Sequence, residues 1–212
     1  MIKNINCLLC NSNTNFFYEK RNKTYYKCEK CSSIMLDPLD HVSLEEEKER
    51  YETHNNDIED IRYQNFVSPI VDSIKKTYNT GHIGLDYGAG PGPVVKSLLE
   101  KEGYNIKLYD PYFHYYPKNL YDKYDFIILS EVIEHFNNPY KEFLKLSNLL
   151  KKGGSLVCMT SIYDEGIDFD KWSYKNDKTH VFFYHKKALE WIKAEFKFSN
   201  LEVDGKLIKL SK

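Results

Sequence analysis

This sequence lacks several features that mark particular classes of protein. Its 212 residues contain no apolar run near the roughly 18 that a membrane-spanning helix needs, and the polar stretch from Met1 to Cys10 lacks the apolar core of a secretory signal. Its 30 basic and 31 acidic side chains give a formal net charge of -1, which argues against broad electrostatic capture of nucleic acid. We therefore expect a cytoplasmic protein without a membrane partner.

Cysteine is scarce as well, but four of the five cysteines fall in two CxxC pairs, Cys7 with Cys10 and Cys28 with Cys31. In a reducing compartment two such pairs can place four thiolates tetrahedrally around Zn²⁺; disulfides or unrelated free thiols are the alternatives. The segment has too few apolar residues to fold alone, so the metal would supply its folding energy. We predict a zinc ribbon over residues 1–40, and a structural one, because four thiolates leave no open position.

The next segment, residues 41–80, is predicted to form a helical lid or linker. Ser43 and Glu46 have the spacing of a capping box and precede a run of strong helix formers. A second helix is predicted over residues 58–78 from apolar residues at helical spacing, with a kink or a break at Pro69.

From residue 81 to residue 212 the sequence alternates strand-like and helix-like runs. Strands are predicted over residues 83–86, 106–109, 126–129 and 155–159, and helices over residues 93–102, 139–150 and 186–195. Gly153 and Gly154 are expected to stop the second of these helices, and the tail is expected to form a hairpin that turns at Asp204 and Gly205. This order predicts an α/β fold: a Rossmann-like, doubly wound, mostly parallel sheet with a terminal antiparallel hairpin.

A glycine-rich turn, Leu85-Asp-Tyr-Gly-Ala-Gly-Pro-Gly92, joins the first of these strands to the first helix. Its glycines let the backbone turn sharply and approach a ligand, and the helix N-terminus offers free N–H groups to an anionic group. The next strand ends at Asp110, where a carboxylate can accept both hydroxyls of a ribose. The pattern predicts a site for a nucleoside cofactor.

These residues resemble motif I of class I S-adenosylmethionine (SAM)-dependent methyltransferases, and Asp110 matches the ribose-binding acid of that family. The resemblance implies that the glycines border the methionine part of SAM and that Asp86 holds its ammonium group. The cofactor-binding residues that it implies are Asp86, Gly88, Ala89, Gly90, Gly92, Asp110, Pro111, Ser130 and Glu131. Another Rossmann-like nucleotide binder is the alternative.

The interval after Asp110 departs from that family. Asp125 follows Asp110 by 15 positions, which is too few for an ordinary helix and strand. We therefore predict that one strand of the family's sheet is missing here, which leaves Asn119 and Leu120 as the candidates for the adenine contact.

Glu131, Glu134 and His135 follow the 126–129 strand at positions i, i+3 and i+4, so they would share one face of a helical turn. Three interpretations stay open. His135 could act as a general base, the three side chains could hold Mg²⁺ or another divalent metal, or Glu131 could cap a turn while His135 packs. The segment resembles the metal-binding segment of ubiquinone-biosynthesis O-methyltransferases and of small-RNA 2′-O-methyltransferases.

His180 lies in the segment after the fifth strand, which covers the acceptor in class I methyltransferases. By this resemblance His180 is predicted as a second base or as a fourth ligand beside Glu131, Glu134 and His135; a cap on the following segment is the alternative. The catalytic candidates are therefore His135, His180 and Glu131. The neighbouring aromatic residues would wall an acceptor pocket or complete the core: Trp172, Tyr174, Phe183 and Tyr184.

Tyr51, His54 and Asn55 stand at helical spacing where the acidic helix ends, and we predict that they seal the cofactor site. The run from Arg50 to Asn56 resembles bacterial zinc-ribbon methyltransferases of unassigned substrate. A solvated helix end is the alternative.

The sequence thus predicts a SAM-dependent methyltransferase that methylates oxygen or carbon of a small-molecule acceptor. One rival is an RNA-modifying methyltransferase whose ribbon binds RNA through five basic side chains: Lys20, Arg21, Lys23, Lys27 and Lys30. Another is a non-catalytic module that binds SAM or a partner. The sequence does not indicate an oligomeric state.

Overall fold

The computed structural model describes residues 5–53 and 57–212, and its strands form two sheets. The smaller sheet contains, in spatial order, β1 (Thr14–Lys20), β2 (Lys23–Cys28), β3 (Ile34–Leu36) and β8 (Phe182–Phe183). The larger sheet contains β4 (Ile83–Tyr87), β5 (Asn105–Tyr109), β6 (Tyr124–Ser130), β7 (Leu150–Met159), β9 (Asn200–Asp204) and β10 (Leu207–Ser211). Its spatial order is β5-β4-β6-β7-β10-β9.

The α-helices of the described residues are α1 (Leu44–Glu52), α2 (Ile61–Thr77), α3 (Val94–Lys101), α4 (Pro139–Leu149) and α5 (Lys186–Glu195). In the ranges that the structure describes, none of them has the length and apolar character needed to cross a bilayer.

The larger sheet is covered on both faces, as the alternating sequence predicts. On β6, Phe126 and Ile128 belong to a core shared with α2 and α3, whereas Ile127 and Leu129 belong to a core shared with α4 and α5. The strands from β5 to β7 pair in parallel, and β10 runs antiparallel to both β7 and β9. The predicted doubly wound, mostly parallel α/β fold with a terminal hairpin is confirmed.

The start of α1 is as predicted, since the Ser43 hydroxyl accepts from the Glu46 backbone N–H and the Glu46 carboxylate accepts from the Ser43 N–H. The start of α2 differs from the prediction, which placed it at residue 58. It begins at Ile61 because the Asp60 carboxylate caps the helix by accepting from the Arg62 N–H at 2.9 Å.

The predicted kink or break at Pro69 does not divide α2. Proline has no N–H to bond the carbonyl four residues earlier, which here belongs to Asn65. The Ser68 hydroxyl donates to that carbonyl at 2.9 Å, so the lost backbone bond has a local replacement and the helix continues to Thr77.

The prediction that Gly153 and Gly154 stop a helix is wrong. α4 ends at Leu149, and β7 begins at the next residue, so both glycines lie within the strand. A Cβ added to Gly154 would lie 2.7 Å from the Asp125 carbonyl oxygen, so this glycine permits a close backbone approach instead.

The strand predicted to be missing after β5 is absent from the described interval between β5 and β6. That interval holds only a short 3-10 turn, Pro117–Leu120, and an isolated bridge between Asp110 and His114. Asn119 is buried, donates to the Leu108 carbonyl at 2.8 Å and does not line the cavity described below. It is therefore a structural residue of this interval.

The cysteine-rich segment packs against the rest of the chain. β3 pairs with β8 through Ile34 with Phe183 and Met35 with Phe182. The Tyr25 ring of β2 lies 6.2 Å from the Phe183 ring. The three-part domain division stays a prediction, and its first and last parts share one sheet.

Candidate functional site

A cavity of about 860 Å³ lies at the carboxyl ends of β4, β5 and β6, beneath α1. Most of the predicted site residues that are described line it: Tyr51, Asp86, Gly88, Ala89, Gly90, Gly92, Asp110, Pro111, Ser130, Glu131, His135 and His180. Glu134 does not line it, and His54 and Asn55 lie outside the described residues. Parallel α/β sheets bind their ligands at this edge.

The glycine-rich turn brings the backbone to the cavity wall. Gly88 and Gly90 have φ angles of 78° and 64°, a conformation that side-chain-bearing residues rarely adopt. A Cβ added to Gly88 would lie 2.8 Å from Val132, so this position also needs glycine for space.

Asp110 is held against this turn by backbone donors. Its Oδ2 accepts from the Gly90 N–H at 2.9 Å, and its Oδ1 accepts from the N–H groups of Tyr112 at 2.8 Å and Phe113 at 3.0 Å. These three bonds fix the carboxylate at the cavity wall.

Asp86 is a second, almost fully buried carboxyl beside the cavity. Its burial, with a contribution from the charge of Asp110, raises the pKa of Asp86 to about 7. An ammonium group placed beside it would favour the ionised form.

Helix α1 covers the cavity and is tied down at two points. Glu47 accepts from the Tyr51 hydroxyl at 2.7 Å and from the Tyr112 hydroxyl at 2.8 Å, which joins α1 to the loop after Asp110. Arg50 forms an ion pair with Asp177 at 2.7 Å, which joins α1 to the loop that carries His180. The helix therefore contacts both ends of the cavity.

Two histidines form one wall. Nδ1 of His135 lies 2.9 Å from the Thr179 carbonyl oxygen, and Nδ1 of His180 lies 2.7 Å from the Tyr174 carbonyl oxygen. A carbonyl can only accept, so each Nδ1 carries a proton and each neutral ring has its lone pair on Nε2. Burial lowers the pKa of both rings, that of His180 to about 4, and so favours this neutral form.

Two carboxyls lie behind the histidines, and Tyr174 contacts both. Its hydroxyl is hydrogen-bonded to Glu134 and lies 3.1 Å from Glu131 Oε2. Burial raises the pKa of each glutamate to about 7. Oε1 of Glu131 and Oγ of Ser130 are buried and have no hydrogen-bond partner among the described residues, although Oε1 of Glu131 lies 4.0 Å from Nζ of Lys206. A ligand could supply the hydrogen bonds that both atoms lack.

The helical face expected for Glu131, Glu134 and His135 is not formed. Glu131 has φ +51°, and only residues 133–135 make a 3-10 turn. Glu134 is consequently directed into the core, where it accepts from the Thr160 hydroxyl at 3.0 Å.

Comparison with known families identifies the chain. Residues 59–203 match a family described as a methyltransferase domain, which covers more than half of the sequence. The chain belongs to this methyltransferase family. No curated protein sequence matches the methyltransferase.

Solved structures share the fold at low identity. Burkholderia thailandensis 1,6-didemethyltoxoflavin-N1-methyltransferase with bound S-adenosylhomocysteine (SAH) aligns with a TM-score of 0.57 and 11% identity over 93% of this chain and 99% of its own. A SAM-dependent methyltransferase from Archaeoglobus fulgidus aligns with a TM-score of 0.55 and 15% identity over 70% of this chain and 94% of its own. A Nostoc punctiforme structure provisionally assigned as an O-methyltransferase aligns with a TM-score of 0.55 and 12% identity over 70% of this chain. The alignment spans only 56% of the length of the Nostoc protein.

The four N-terminal cysteines of the methyltransferase form one cluster. Cys7 and Cys31 have their sulfurs 3.7 Å apart, Cys10 and Cys28 have theirs 3.4 Å apart, and all four sulfurs lie within 4.8 Å of one another. Four sulfurs in a tetrahedron around zinc at about 2.3 Å are separated by about 3.8 Å, whereas disulfide sulfurs are about 2.05 Å apart. The cluster fits a tetrahedral zinc ion.

The predicted second metal site is only partly assembled. Ligand atoms of Glu134, His135 and His180 lie within 4.8 Å of one another, and Glu131 is not part of that group. The two Nε2 atoms suit either a metal or a proton, and that of His180 lies 4.0 Å from Oε1 of Glu134. Both Glu134 oxygens are engaged by hydroxyls.

Several cavity residues were not predicted from the sequence. α2 contributes Tyr63 and Phe66, whose rings are 5.8 Å apart. α4 contributes Glu142, which accepts from the Tyr87 hydroxyl at 2.6 Å and from Lys145 at 2.8 Å. The pairs Tyr63 with Phe66 and Glu142 with Lys145 each have the i, i+3 spacing of one helix face. That spacing alone does not predict which face of a helix meets a ligand.

Among the aromatic residues expected as wall or core, Tyr184 and Phe183 are fully buried and Trp172 packs with Phe183. Only Tyr174 of this group contacts the two glutamates. Most of the run therefore completes the core.

Proposed function

We propose that this chain is a SAM-dependent methyltransferase that acts on a small-molecule acceptor, with an O–H group as the favoured nucleophile and a carbon nucleophile second. The observation that carries the proposal is the Asp110 carboxylate, which three backbone N–H groups hold against a glycine-rich turn. The family assignment supports the same reaction class.

The cofactor is assigned to the glycine side of the cavity. Asp110 would accept the ribose hydroxyls, the turn at Gly88 and Gly90 would border the methionine part, and Asp86 would balance its ammonium group. When bound, SAM supplies a positively charged sulfonium whose methyl group an acceptor can attack in line. Tyr51 of α1 would close the cavity over it and exclude water.

The acceptor is assigned to the histidine side. Nε2 of His135 or of His180 would take the proton of the acceptor O–H as the acceptor oxygen bonds to the methyl carbon, whose bond to the sulfonium sulfur would break and leave SAH. The rings are already neutral, and each Nδ1–H is fixed by a carbonyl, so neither needs to change tautomer. Glu131 would orient the acceptor through Oε1, which accepts no hydrogen bond from the described residues and lies 4.0 Å from Nζ of Lys206.

We infer that the ribbon binds structural zinc through Cys7, Cys10, Cys28 and Cys31. The RNA alternative is not favoured, because ion pairs occupy two of the five basic side chains proposed to contact RNA. Lys20 pairs with Asp170 at 2.6 Å and Lys27 pairs with Glu165 at 3.0 Å. A cytoplasmic location remains our expectation.

A divalent metal is the second candidate for activation of the acceptor, because three ligand groups lie close together at Glu134, His135 and His180. Turnover that survives EDTA at a concentration that leaves the ribbon metal in place would exclude this candidate. Loss of turnover that Mg²⁺ or Mn²⁺ restores would favour it over an imidazole base.

The proposal is tested first by calorimetry of the purified chain with SAM, SAH, NAD and FMN. We expect binding of SAM and SAH only, and binding of a nicotinamide or flavin cofactor instead would overturn the assignment. Methyl-labelled SAM is then incubated with panels of phenols, sugars and carbon acids, and label transfer identifies the acceptor class.

A further inference from the structure

The smaller sheet joins the cysteine segment to the histidine wall of the cavity, because β2 ends at Cys28 and β8 begins two residues after His180. We infer that the zinc ribbon positions this wall, so that ribbon metal is required for methyl transfer but not for SAM binding. The inference rests on the proposed function, because it assigns a positioning role to a part of the same acceptor site.

The first link is a path of backbone hydrogen bonds. The Cys28 N–H donates to the Ser33 carbonyl at 2.9 Å, which closes the second cysteine knuckle at the start of β3. At the far end of β3, the Leu36 N–H donates to the Val181 carbonyl at 2.9 Å, and the Val181 N–H donates to the Glu134 carbonyl at 3.0 Å. His180 immediately precedes Val181, so β3 fixes the backbone on which that histidine stands.

The second link is the packing of the thiol cluster. Cys7, Cys28 and Cys31 are buried in the same core as Phe182 and Tyr184 of the segment that follows His180. The Tyr184 hydroxyl is fully buried and donates to the Ile133 carbonyl at 3.0 Å. Bonds from Val181 and Tyr184 therefore hold the turn that carries His135.

Through these contacts one segment, the second cysteine knuckle with β3, positions both histidines, and its conformation would depend on the metal. β3 has only three residues and β8 only two, so their pairing contributes little stability without the knuckle that fixes the start of β3. Metal bound by the four thiolates would hold that knuckle in one conformation. The bonds that fix Asp110, by contrast, run to residues of its own loop and of the glycine-rich turn.

The first experiment compares zinc-loaded protein with the full-length Cys10→Ser variant, since Cys10 is the most exposed of the four ligands. The ring Nδ1–H protons of His135 and His180 are hydrogen-bonded to carbonyls, so they should give slowly exchanging proton NMR signals. Loss of zinc should remove both signals and lower kcat about 100-fold, the scale of a lost general base, while SAH affinity changes by less than about threefold.

The second experiment leaves the metal site intact, which covers the case in which Cys10→Ser fails to fold. Tyr184→Phe removes the bond to Ile133, and we expect shifted histidine signals and a kcat lower by about fivefold to tenfold at unchanged zinc content. Tyr124→Phe is the matched control, because it deletes another buried tyrosine hydroxyl, bonded to the Asn119 carbonyl at 2.6 Å, at the amino end of β6 and away from the cavity.

Unchanged histidine signals after zinc loss would overturn the inference, and so would equal effects of Tyr184→Phe and Tyr124→Phe on kcat. A parallel fall of SAH affinity and kcat in folded Cys10→Ser would also overturn it, because the ribbon would then support the whole fold. Failure of the proposed function is a separate result: the zinc-loaded wild type would bind no SAH, while the NMR comparison would still report whether the ribbon holds the histidines.

Discussion

The two ends of the cavity are built in different ways: the proposed cofactor end lies beside Asp110, and the proposed acceptor end lies beside His135 and His180. At the cofactor end, backbone N–H groups of residues 88–113 bind one carboxylate, and the participating residues follow closely along the chain. At the acceptor end, side chains arrive from α1, the loop after β6 and the segment after β7. The carbonyl of the distant Thr179 orients His135, and the carbonyl of Tyr174, in the same segment, orients His180.

This difference separates binding from chemistry. The cofactor end can stay formed when distant parts of the chain move, because its hydrogen bonds are local. The acceptor end depends on several long-range contacts at once, so small displacements there should lower turnover before they lower affinity. Substitutions at the two ends should therefore change different kinetic constants.

The largest effect should come from His180→Ala. Removing the imidazole should lower kcat by about 100- to 1,000-fold, because a general base typically contributes that much, while SAH affinity stays within about threefold. Steady-state kinetics and calorimetry measure the two quantities. His82→Ala, on the outer turn before β4, is the control and should change neither. A parallel loss of affinity would show that the two ends are not independent.

Asp110→Ala should give the opposite result. Loss of charge-assisted hydrogen bonds to the ribose should weaken SAH binding by about 30- to 100-fold, as calorimetry would measure. Asp122→Ala removes a nearby carboxylate that pairs with Lys107 at 2.7 Å on the surface, and its affinity should match the wild type. Unchanged SAH affinity in Asp110→Ala would refute the ribose role.

Asp86 should make the cofactor end sensitive to pH. Its pKa of about 7 lies above the unfolded value of about 3.9, so its contribution to stability is complete below pH 3.9 and is lost as pH rises towards 7. Ligand binding has the reverse sign, because an ammonium group favours the ionised carboxylate. SAH affinity should rise about tenfold from pH 6 to pH 8, and Asp86→Asn should flatten that dependence in calorimetric titrations. An unchanged slope in the variant would assign the titration to another group.

The smallest effect should come from the covering helix. Arg50→Met removes the pair with Asp177, in which Arg50 is partly exposed, so SAH affinity should fall by only about threefold. Lys48→Met is the control, because Lys48 on the same helix pairs with Glu52 at 3.7 Å in solvent. Stopped-flow measurement should find the change in the SAH release rate, and equal release rates for the two variants would argue against α1 as a lid.

The same difference between the two ends decides how far the sequence could predict the molecule. The alternation of strands and helices, the missing strand and the glycine-rich turn with Asp110 depend on local patterns, and they could be predicted. The cavity-facing sides of α2 and α4, with Phe66 and Glu142, depend on how the helices pack. The direction of Glu134 depends on a left-handed backbone at Glu131, which no spacing rule signals.

The φ of +51° at Glu131 also matters for evolution and for engineering. A side-chain-bearing residue in this region costs about 1 to 3 kcal/mol, so the backbone is strained at the carboxylate that we propose to orient the acceptor. Glycine would relax that strain and remove the carboxylate, whereas alanine would keep the strain. A search for thermostable variants should therefore select glycine at this position, and the variants it recovers should have a higher Tm and a lower kcat.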